Sequence, residues 1–184
     1  NQQHYSGQAQ LSYLSQMTGI VGLQVITPMM GLALVVATLR AFFYQRPSHI
    51  AADVAEQPDQ ILIGNYWADV IRPTVRFLLP LCFVWSLLLN SQGVPATFQG
   101  GPEVQLMDKA NTVQTQKIPL GPVAPMVAIK QLGSNGGGWY GPNSSVPLEN
   151  PTPFSNLLEM IAILLIPITV IFMVGHFTQR DRKS

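Results

Sequence analysis

The chain has 184 residues, of which 47% are hydrophobic and only 10% are charged. Soluble domains carry about 25% charged residues, so this composition predicts a membrane protein. The formal net charge is +1, which excludes the strongly basic surface that nucleic-acid-binding proteins use. The single cysteine, Cys82, lies in an apolar run and is interpreted as a small apolar residue.

Three apolar stretches predict transmembrane helices, because crossing a bilayer requires about 20 apolar residues. They are centred on 21–39, 77–89 and 157–175. The second stretch reaches spanning length when it is extended to 73–93. In the first stretch, Pro28 and Gly31 predict a kink. Membrane helices tolerate such residues when neighbouring groups satisfy the freed backbone.

Basic residues orient these spans. The loop between the first two spans contains Arg40, Arg46, Arg72 and Arg76, and the tail contains Arg180, Arg182 and Lys183. In the region 94–153, lysines and acidic residues balance each other. The positive-inside rule therefore predicts that the first loop and the tail are cytoplasmic, and that the N-terminus and 94–153 lie outside.

The two loops differ in character. In the second half of the cytoplasmic loop, Tyr66 and Trp67 are part of an apolar pattern at helical spacing. Aromatic residues beside a span predict an interfacial helix along the lipid headgroups, and a partner-binding surface is the alternative. The outer loop 94–120 is rich in glycine and proline and predicts an irregular connection.

A short apolar segment, 121–132, precedes the glycine-rich motif Lys130-Gln-Leu-Gly-Ser-Asn-Gly-Gly-Gly-Trp-Tyr140. A helix from Pro122 to the leucine before Gly133 would rise only about 16 Å, or half a bilayer. The carbonyl end of a helix carries roughly half a negative charge, which favours a cation. A half-length helix, a glycine loop and a spanning helix together predict a re-entrant pore loop.

The loop itself predicts an ion filter. Its candidate ion-binding residues are Ser134, Asn135, Gly136, Gly137 and Gly138. Glycines remove the side chains that would block a close approach, and rings of backbone carbonyls replace the hydration shell of K⁺. A phosphate-binding loop, a dinucleotide fingerprint and a plain glycine turn are the alternatives. The first two lack their flanking signals.

Other polar residues are weaker candidates. Glu149 precedes the third span and is interpreted as making hydrogen bonds at the start of that helix and in the loop, with ion binding as the alternative. The histidines His4, His49 and His176 are scattered, so no transition-metal site is predicted. No pairing of a nucleophile with a base, or of two carboxylates, predicts catalysis.

The motif at 130–140, with Asn143-Ser-Ser and Glu149-Asn-Pro-Thr, resembles the potassium-binding A subunit of the bacterial Kdp potassium-transporting ATPase. Further matches extend over essentially the whole chain. They are Tyr5-Ser-Gly, Leu11-Ser-Tyr-Leu-Ser-Gln-Met, Gly64-Asn-Tyr-Trp-Ala-Asp, Leu78-Leu-Pro-Leu and Gly121-Pro-Val-Ala.

The resemblance implies an all-α membrane fold of the K⁺ channel and transporter superfamily. In that family, four repeats of helix, pore loop and helix surround one pore. This chain would hold the end of filter one, the second helix of repeat one, and all of repeat two. Asn1 and Gln3 match the end of filter one, and Gln2 replaces its aromatic residue. In filter two, Ser134 stands where threonine is frequent.

The predicted segments follow from these patterns. They are a segment after the first filter (1–17), a transmembrane helix (18–45), a cytoplasmic loop with an interfacial helix (46–71), a second transmembrane helix (72–93), an extracellular loop (94–120), a pore helix (121–133), the filter loop (134–140), a further extracellular loop (141–153), a third transmembrane helix (154–177) and a cytoplasmic tail (178–184).

The resemblance also implies a division of labour. This chain would select and translocate K⁺ in the bacterial plasma (inner) membrane, without an organic cofactor and without hydrolysing ATP. Its partners would be the catalytic P-type ATPase B subunit, the C subunit, a small single-span protein and the lipid bilayer, and no nucleic acid. A passive K⁺ channel or a Trk/Ktr-like transporter is the alternative, and a non-transporting membrane protein is a third.

Overall fold

The computed structural model describes residues 7–43, 63–107, 115–135, 138–141 and 144–178. Within these residues the chain is mostly helical. Its helices are α1 (Gly7–Gln10), α2 (Tyr13–Phe43), α3 (Tyr66–Ser91), α4 (Val123–Leu132) and α5 (Pro153–Phe177). Of these, α2, α3 and α5 are long and apolar enough to cross a membrane. The predicted all-α membrane fold is confirmed.

The first spanning helix, α2, begins earlier than the apolar stretch that predicted it. It consists of α-helical Tyr13–Ser15, π-helical Gln16–Ile20 and α-helical Val21–Phe43. Ser12 caps its start, since the hydroxyl of Ser12 accepts the Ser15 N–H at 3.2 Å. Pro28 lies inside the helix, which continues on both sides of it.

The second candidate spanning helix, α3, begins earlier than the predicted span and includes residues of the predicted interfacial helix, whose placement along the headgroups stays a prediction. It consists of α-helical Tyr66–Pro73, π-helical Thr74–Leu78 and α-helical Leu79–Ser91. Tyr66 and Trp67 therefore form the first turn of the spanning helix itself. Pro73 is not the start of the span, although proline removes a hydrogen-bond donor. The helix continues through Pro73 into the π-helical turn Thr74–Leu78, and membrane helices tolerate such interruptions.

An ion pair joins α2 to α3 near the ends that the charge pattern places in the cytoplasm. The Arg40 guanidinium contacts both carboxylate oxygens of Asp69, and its Nη2 donates to Oδ1 at 3.0 Å. Arg40 also donates to the carbonyl of Ile63 at 3.2 Å. These contacts hold the start of α3 against the end of α2.

The outer loop contains a small sheet where an irregular connection was predicted. Strands β1 (Glu103–Gln105) and β2 (Thr115–Lys117) pair antiparallel. Glu103 lies opposite Lys117, and opposite charges on facing positions stabilise such pairs. The sequence did not predict these strands because the glycine and proline residues near them are typical of irregular loops.

The half-length helix α4 is the centre of the core. It contacts α2, α3 and α5, and nearly all of its side chains are buried. One apolar cluster surrounds its first turns and includes Trp139, while a second surrounds Ile129 and Leu132. The spanning helices, in contrast, leave most of their apolar surface exposed. The chain therefore surrounds a short helix with three long ones.

Candidate functional site

The glycine loop begins with a tight reversal at the end of α4. The N–H of Gly133 donates to the carbonyl of Ile129 at 2.8 Å, and the N–H of Ser134 donates to that of Gln131 at 3.0 Å. Ser134 has a φ of 58°, in the left-handed region that residues other than glycine rarely adopt. This local geometry ends the helix and turns the chain away from its axis.

Gly133 lies against the first spanning helix. A Cβ at this position would be 2.9 Å from the carbonyl oxygen of Gln24, closer than a side chain permits. Pro28 has no N–H to donate to that carbonyl, so the helix exposes it on this side. The start of the loop is therefore packed on the proline-containing turn of α2.

The structure describes only part of the predicted filter. Ser134 and Asn135 are exposed, and Gly138 is buried. The hydroxyl of Ser134 donates to the carbonyl of Ile163 on α5 at 3.1 Å. Gly136, Gly137, Asn1 and Gln3 lie outside the described residues, so the path of the central carbonyls and the end of filter one stay predictions. Ion binding by any of these residues stays a prediction as well.

Two buried aromatic residues anchor the outgoing end of the loop. The ring of Trp139 packs on that of Tyr13, with 5.2 Å between the centroids. The hydroxyl of Tyr140 donates to the carbonyl of Pro119 at 2.7 Å. Burial raises the pKa of Tyr140 above its ordinary value, so the phenol remains a neutral donor. Trp139 also lies directly against Gly121, where a Cβ would be 2.7 Å from the ring atom Cε2.

A fully buried ion pair lies behind the loop. Lys130 on α4 and Glu149 before α5 have no exposed side-chain surface, and 3.4 Å separates Lys130 Nζ from Glu149 Oε2. Lys130 also donates to the hydroxyl of Ser144. The other carboxylate oxygen, Glu149 Oε1, accepts the N–H of Tyr140 at 3.4 Å. The interpretation of Glu149 as a hydrogen-bonding residue agrees with this contact, although the carboxylate also pairs with Lys130.

Gly138 brings the main chain of the loop onto this pair. A Cβ at Gly138 would contact Glu149 Oε1 and would lie 3.0 Å from Lys130 Nζ. Any side chain at this position would have to displace one of the two charged groups. The space at Gly138 therefore favours glycine, independently of any role in ion binding.

A second buried carboxylate extends the polar cluster toward α5. Gln131 Nε2 donates to Glu159 Oε2 at 2.6 Å and to the Ser144 hydroxyl at 3.1 Å. Glu159 is 4% exposed and lines an open pocket of about 210 Å³, together with Gln131 and Ser144. Its other oxygen, Oε1, has no hydrogen-bond partner among the described residues.

Neither Lys130 nor Glu159 was among the candidate ion-binding residues predicted from the sequence. In the sequence, Lys130 continues the short helix and Glu159 interrupts the third span. Their position in apolar segments could have indicated the site, because placing an ionisable side chain in the membrane costs free energy and such residues usually have a function. Within the described ranges, no group of three or more histidine, cysteine, aspartate or glutamate residues could hold a metal ion.

Comparison with known proteins gives a consistent result. A family model described as potassium-transporting ATPase A subunit matches residues 1–184. The chain is similar to proteins named potassium-transporting ATPase potassium-binding subunit: 42% identical in Pseudomonas putida, 43% in Listeria monocytogenes and 44% in Clostridium perfringens. Each alignment covers 100% of this chain and 30% of the relative, so the chain spans about 30% of their length.

Proposed function

Because this chain belongs to the family of potassium-transporting ATPase A subunits, we propose that it forms part of the K⁺ pathway of an ATP-driven uptake complex. In this proposal, K⁺ arriving from outside is selected by backbone carbonyls of the loop 134–138. The observation that carries the proposal is the half-length helix α4, buried among three candidate spanning helices and followed by the glycine loop.

Dehydration is the barrier that such a loop must lower. An ion that leaves water must receive oxygen ligands in place of its hydration shell, and backbone carbonyls supply them in potassium pores. Irregular backbone at membrane depth is tolerated only where protein buries it or where it lines water. The packing of Gly133 on α2 and of Trp139 on Tyr13 supports such a protected loop.

The name of the relatives supports a proposal about the partners and the location. Their shared name describes a potassium-binding subunit of a potassium-transporting ATPase. We therefore propose that the catalytic B subunit hydrolyses ATP, that the C subunit and a small single-span protein complete the complex, and that it resides in the bacterial plasma membrane. K⁺ is the transported ion, and this chain requires no organic cofactor.

A passive K⁺ channel or Trk/Ktr-like transporter is the second candidate. A buried half-helix followed by a loop serves a passive pore as well as a pump, so the arrangement of α4 favours both. The name of the relatives favours the pump. The two candidates differ in whether ATP turnover depends on K⁺.

The test uses the full-length protein assembled with its partners. ATP hydrolysis is measured at increasing K⁺ and Na⁺ concentrations for the parent, for Gly136→Asp and for a control, Gly31→Ala. A Cβ at Gly31 meets nothing within 4 Å among the described residues. We expect K⁺ to stimulate the parent and the control equally. Gly136→Asp should require more K⁺ or discriminate less against Na⁺, because a carboxylate crowds the loop and adds an unpaired charge.

Two results would contradict parts of this proposal. An unchanged K⁺ dependence in Gly136→Asp would refute the assignment of the filter. Parental ATP turnover that ignores K⁺, or a preparation in which no ATPase co-purifies, would favour the passive transporter.

A further inference from the structure

We propose that the buried pair Lys130–Glu149 is a positioning device that ties the two ends of the glycine loop together and thereby sets its ion preference. The inference rests on the proposed function, since it concerns the same loop. Neither residue belongs to the loop that is proposed to contact the ion. Both would act on it through the main chain.

The tie joins the chain on either side of the loop. Lys130 lies in the last turn of α4, immediately before the reversal at Ser134. Glu149 comes after the loop and folds back to it, where it accepts the N–H of Tyr140 and lies against Gly138. The ion pair thus connects the incoming end of the loop to its outgoing end.

The pair is enclosed by protein. Both side chains are fully buried, and the Lys130 ammonium has a further partner in the Ser144 hydroxyl. The main chain at Gly138 lies close to both charges, since a Cβ there would contact Glu149 Oε1 and lie 3.0 Å from Lys130 Nζ. A shift of the carboxylate toward the loop would therefore press on Gly138, and a shift away from the loop would break the contact with the Tyr140 N–H.

Stability alone does not explain such a pair. Removing two charges from water costs as much as their attraction returns, and apolar replacements of similar volume are often neutral or stabilising. A buried pair can instead specify one geometry among several. The ion preference of a carbonyl filter depends on cavity size and on the number and field of its carbonyls, so a fixed loop geometry is what the preference requires.

The pair also keeps the surroundings of the loop neutral. A lone carboxylate behind the loop would add negative potential, while a lone ammonium would repel every cation. Paired, the two charges largely cancel each other at the loop, and Glu159 is the remaining carboxylate of the cluster. Removing both charges together leaves the net charge of the pair at zero but abolishes the contact, so a double variant separates the two effects.

The experiment compares three variants of the full-length protein in the assembled complex. The main variant is Lys130→Met with Glu149→Leu, which removes the contact together with both charges of the pair. The nearby carboxylate of Glu159 keeps the hydrogen bond that it accepts from Gln131. The second is Glu149→Gln, which keeps a hydrogen-bond acceptor but removes the negative charge that pairs with the Lys130 ammonium. The matched control is Asp69→Asn, which breaks the pair with Arg40 between α2 and α3.

Two readouts are taken on each variant and on the parent. One is the ratio of the K⁺ and Na⁺ concentrations that half-maximally stimulate ATP hydrolysis. The other is hydrogen exchange of the amides in 133–141, which reports the order of the loop independently of transport. A parent that K⁺ does not stimulate would refute the proposed function, and the exchange data would still decide whether the pair orders the loop.

We expect the double variant to assemble, to exchange its loop amides at least tenfold faster, and to lose about tenfold in discrimination between K⁺ and Na⁺. We expect Glu149→Gln to weaken stimulation by both ions and Asp69→Asn to leave the ratio at its parental value. If the loop amides of the double variant exchange at the parental rate, the proposal that the pair ties the two ends of the loop is refuted. If they exchange faster but the ratio of the K⁺ and Na⁺ concentrations is unchanged, the role of the pair in ion preference is refuted.

Discussion

Replacing Gly138 with alanine tests how closely the loop is packed. The added methyl group would contact Glu149 Oε1, and it would lie 3.1 Å from Glu149 Cδ and 3.0 Å from Lys130 Nζ. Both neighbours are fully buried, so neither has solvent into which it can withdraw. Gly138 does not have a left-handed φ, and the effect of alanine should therefore come from crowding rather than from backbone strain.

The expected magnitude follows from this crowding. Inserting a methylene-sized group into a well-packed core costs about 1–3 kcal/mol. If the ion-bound loop carries that cost, the K⁺ concentration for half-maximal stimulation should rise about 5- to 150-fold. The assay is ATP hydrolysis against K⁺ in the assembled complex, alongside its thermal stability.

The control for this experiment is Gly31→Ala, since a Cβ at Gly31 meets nothing within 4 Å among the residues that the structure describes. Alanine there should leave both the K⁺ dependence and the stability at parental values. A Gly138→Ala complex with parental K⁺ dependence and parental thermal stability would refute the reasoning. It would mean that the loop does not press on the ion pair in the assembled protein.

Two further substitutions test the anchoring of the loop. Gly121→Ala places a methyl group against the Trp139 ring, and we expect a loss of about 1–3 kcal/mol, measured as earlier thermal unfolding of the complex. An unchanged unfolding temperature would contradict that contact. Tyr140→Phe removes the donor to the Pro119 carbonyl, and we expect it to cost about 0.5–1.5 kcal/mol by the same measurement, with ion discrimination largely retained. A large loss of discrimination without a loss of stability would contradict a purely anchoring role for this hydroxyl.

The sequence predicted the helical elements well where hydrophobic length decides the structure. The spans around 21–39 and 157–175 are long, and few charges interrupt them, so their type could be read from local composition. The short helix before Gly133 was predicted from its length and from the glycine that ends it. The structure places that helix at Val123–Leu132, with Pro122 just before it.

Local sequence patterns did not predict two features of the fold, namely the continuation of α3 through Pro73 and the pairing of β1 with β2. Pro73 was predicted to lie at the start of the second span, but α3 begins at Tyr66 and continues through Pro73 into a π-helical turn. The pairing of Glu103 with Lys117 depends on two chain segments that meet in antiparallel register. Each strand is too short to show the alternating pattern from which a strand is predicted. Both features are decided by hydrogen bonds that the local pattern does not encode.

The sequence by itself determined the class of the protein, the number of candidate spans and the location of the glycine loop. Apolar length, proline and glycine are sufficient for these, because they act on the chain locally. Only the tertiary structure decided that Lys130 and Glu149 meet behind Gly138. The burial of a charge depends on which distant partner compensates it, and that partner is selected by the packing of α4 against the spanning helices.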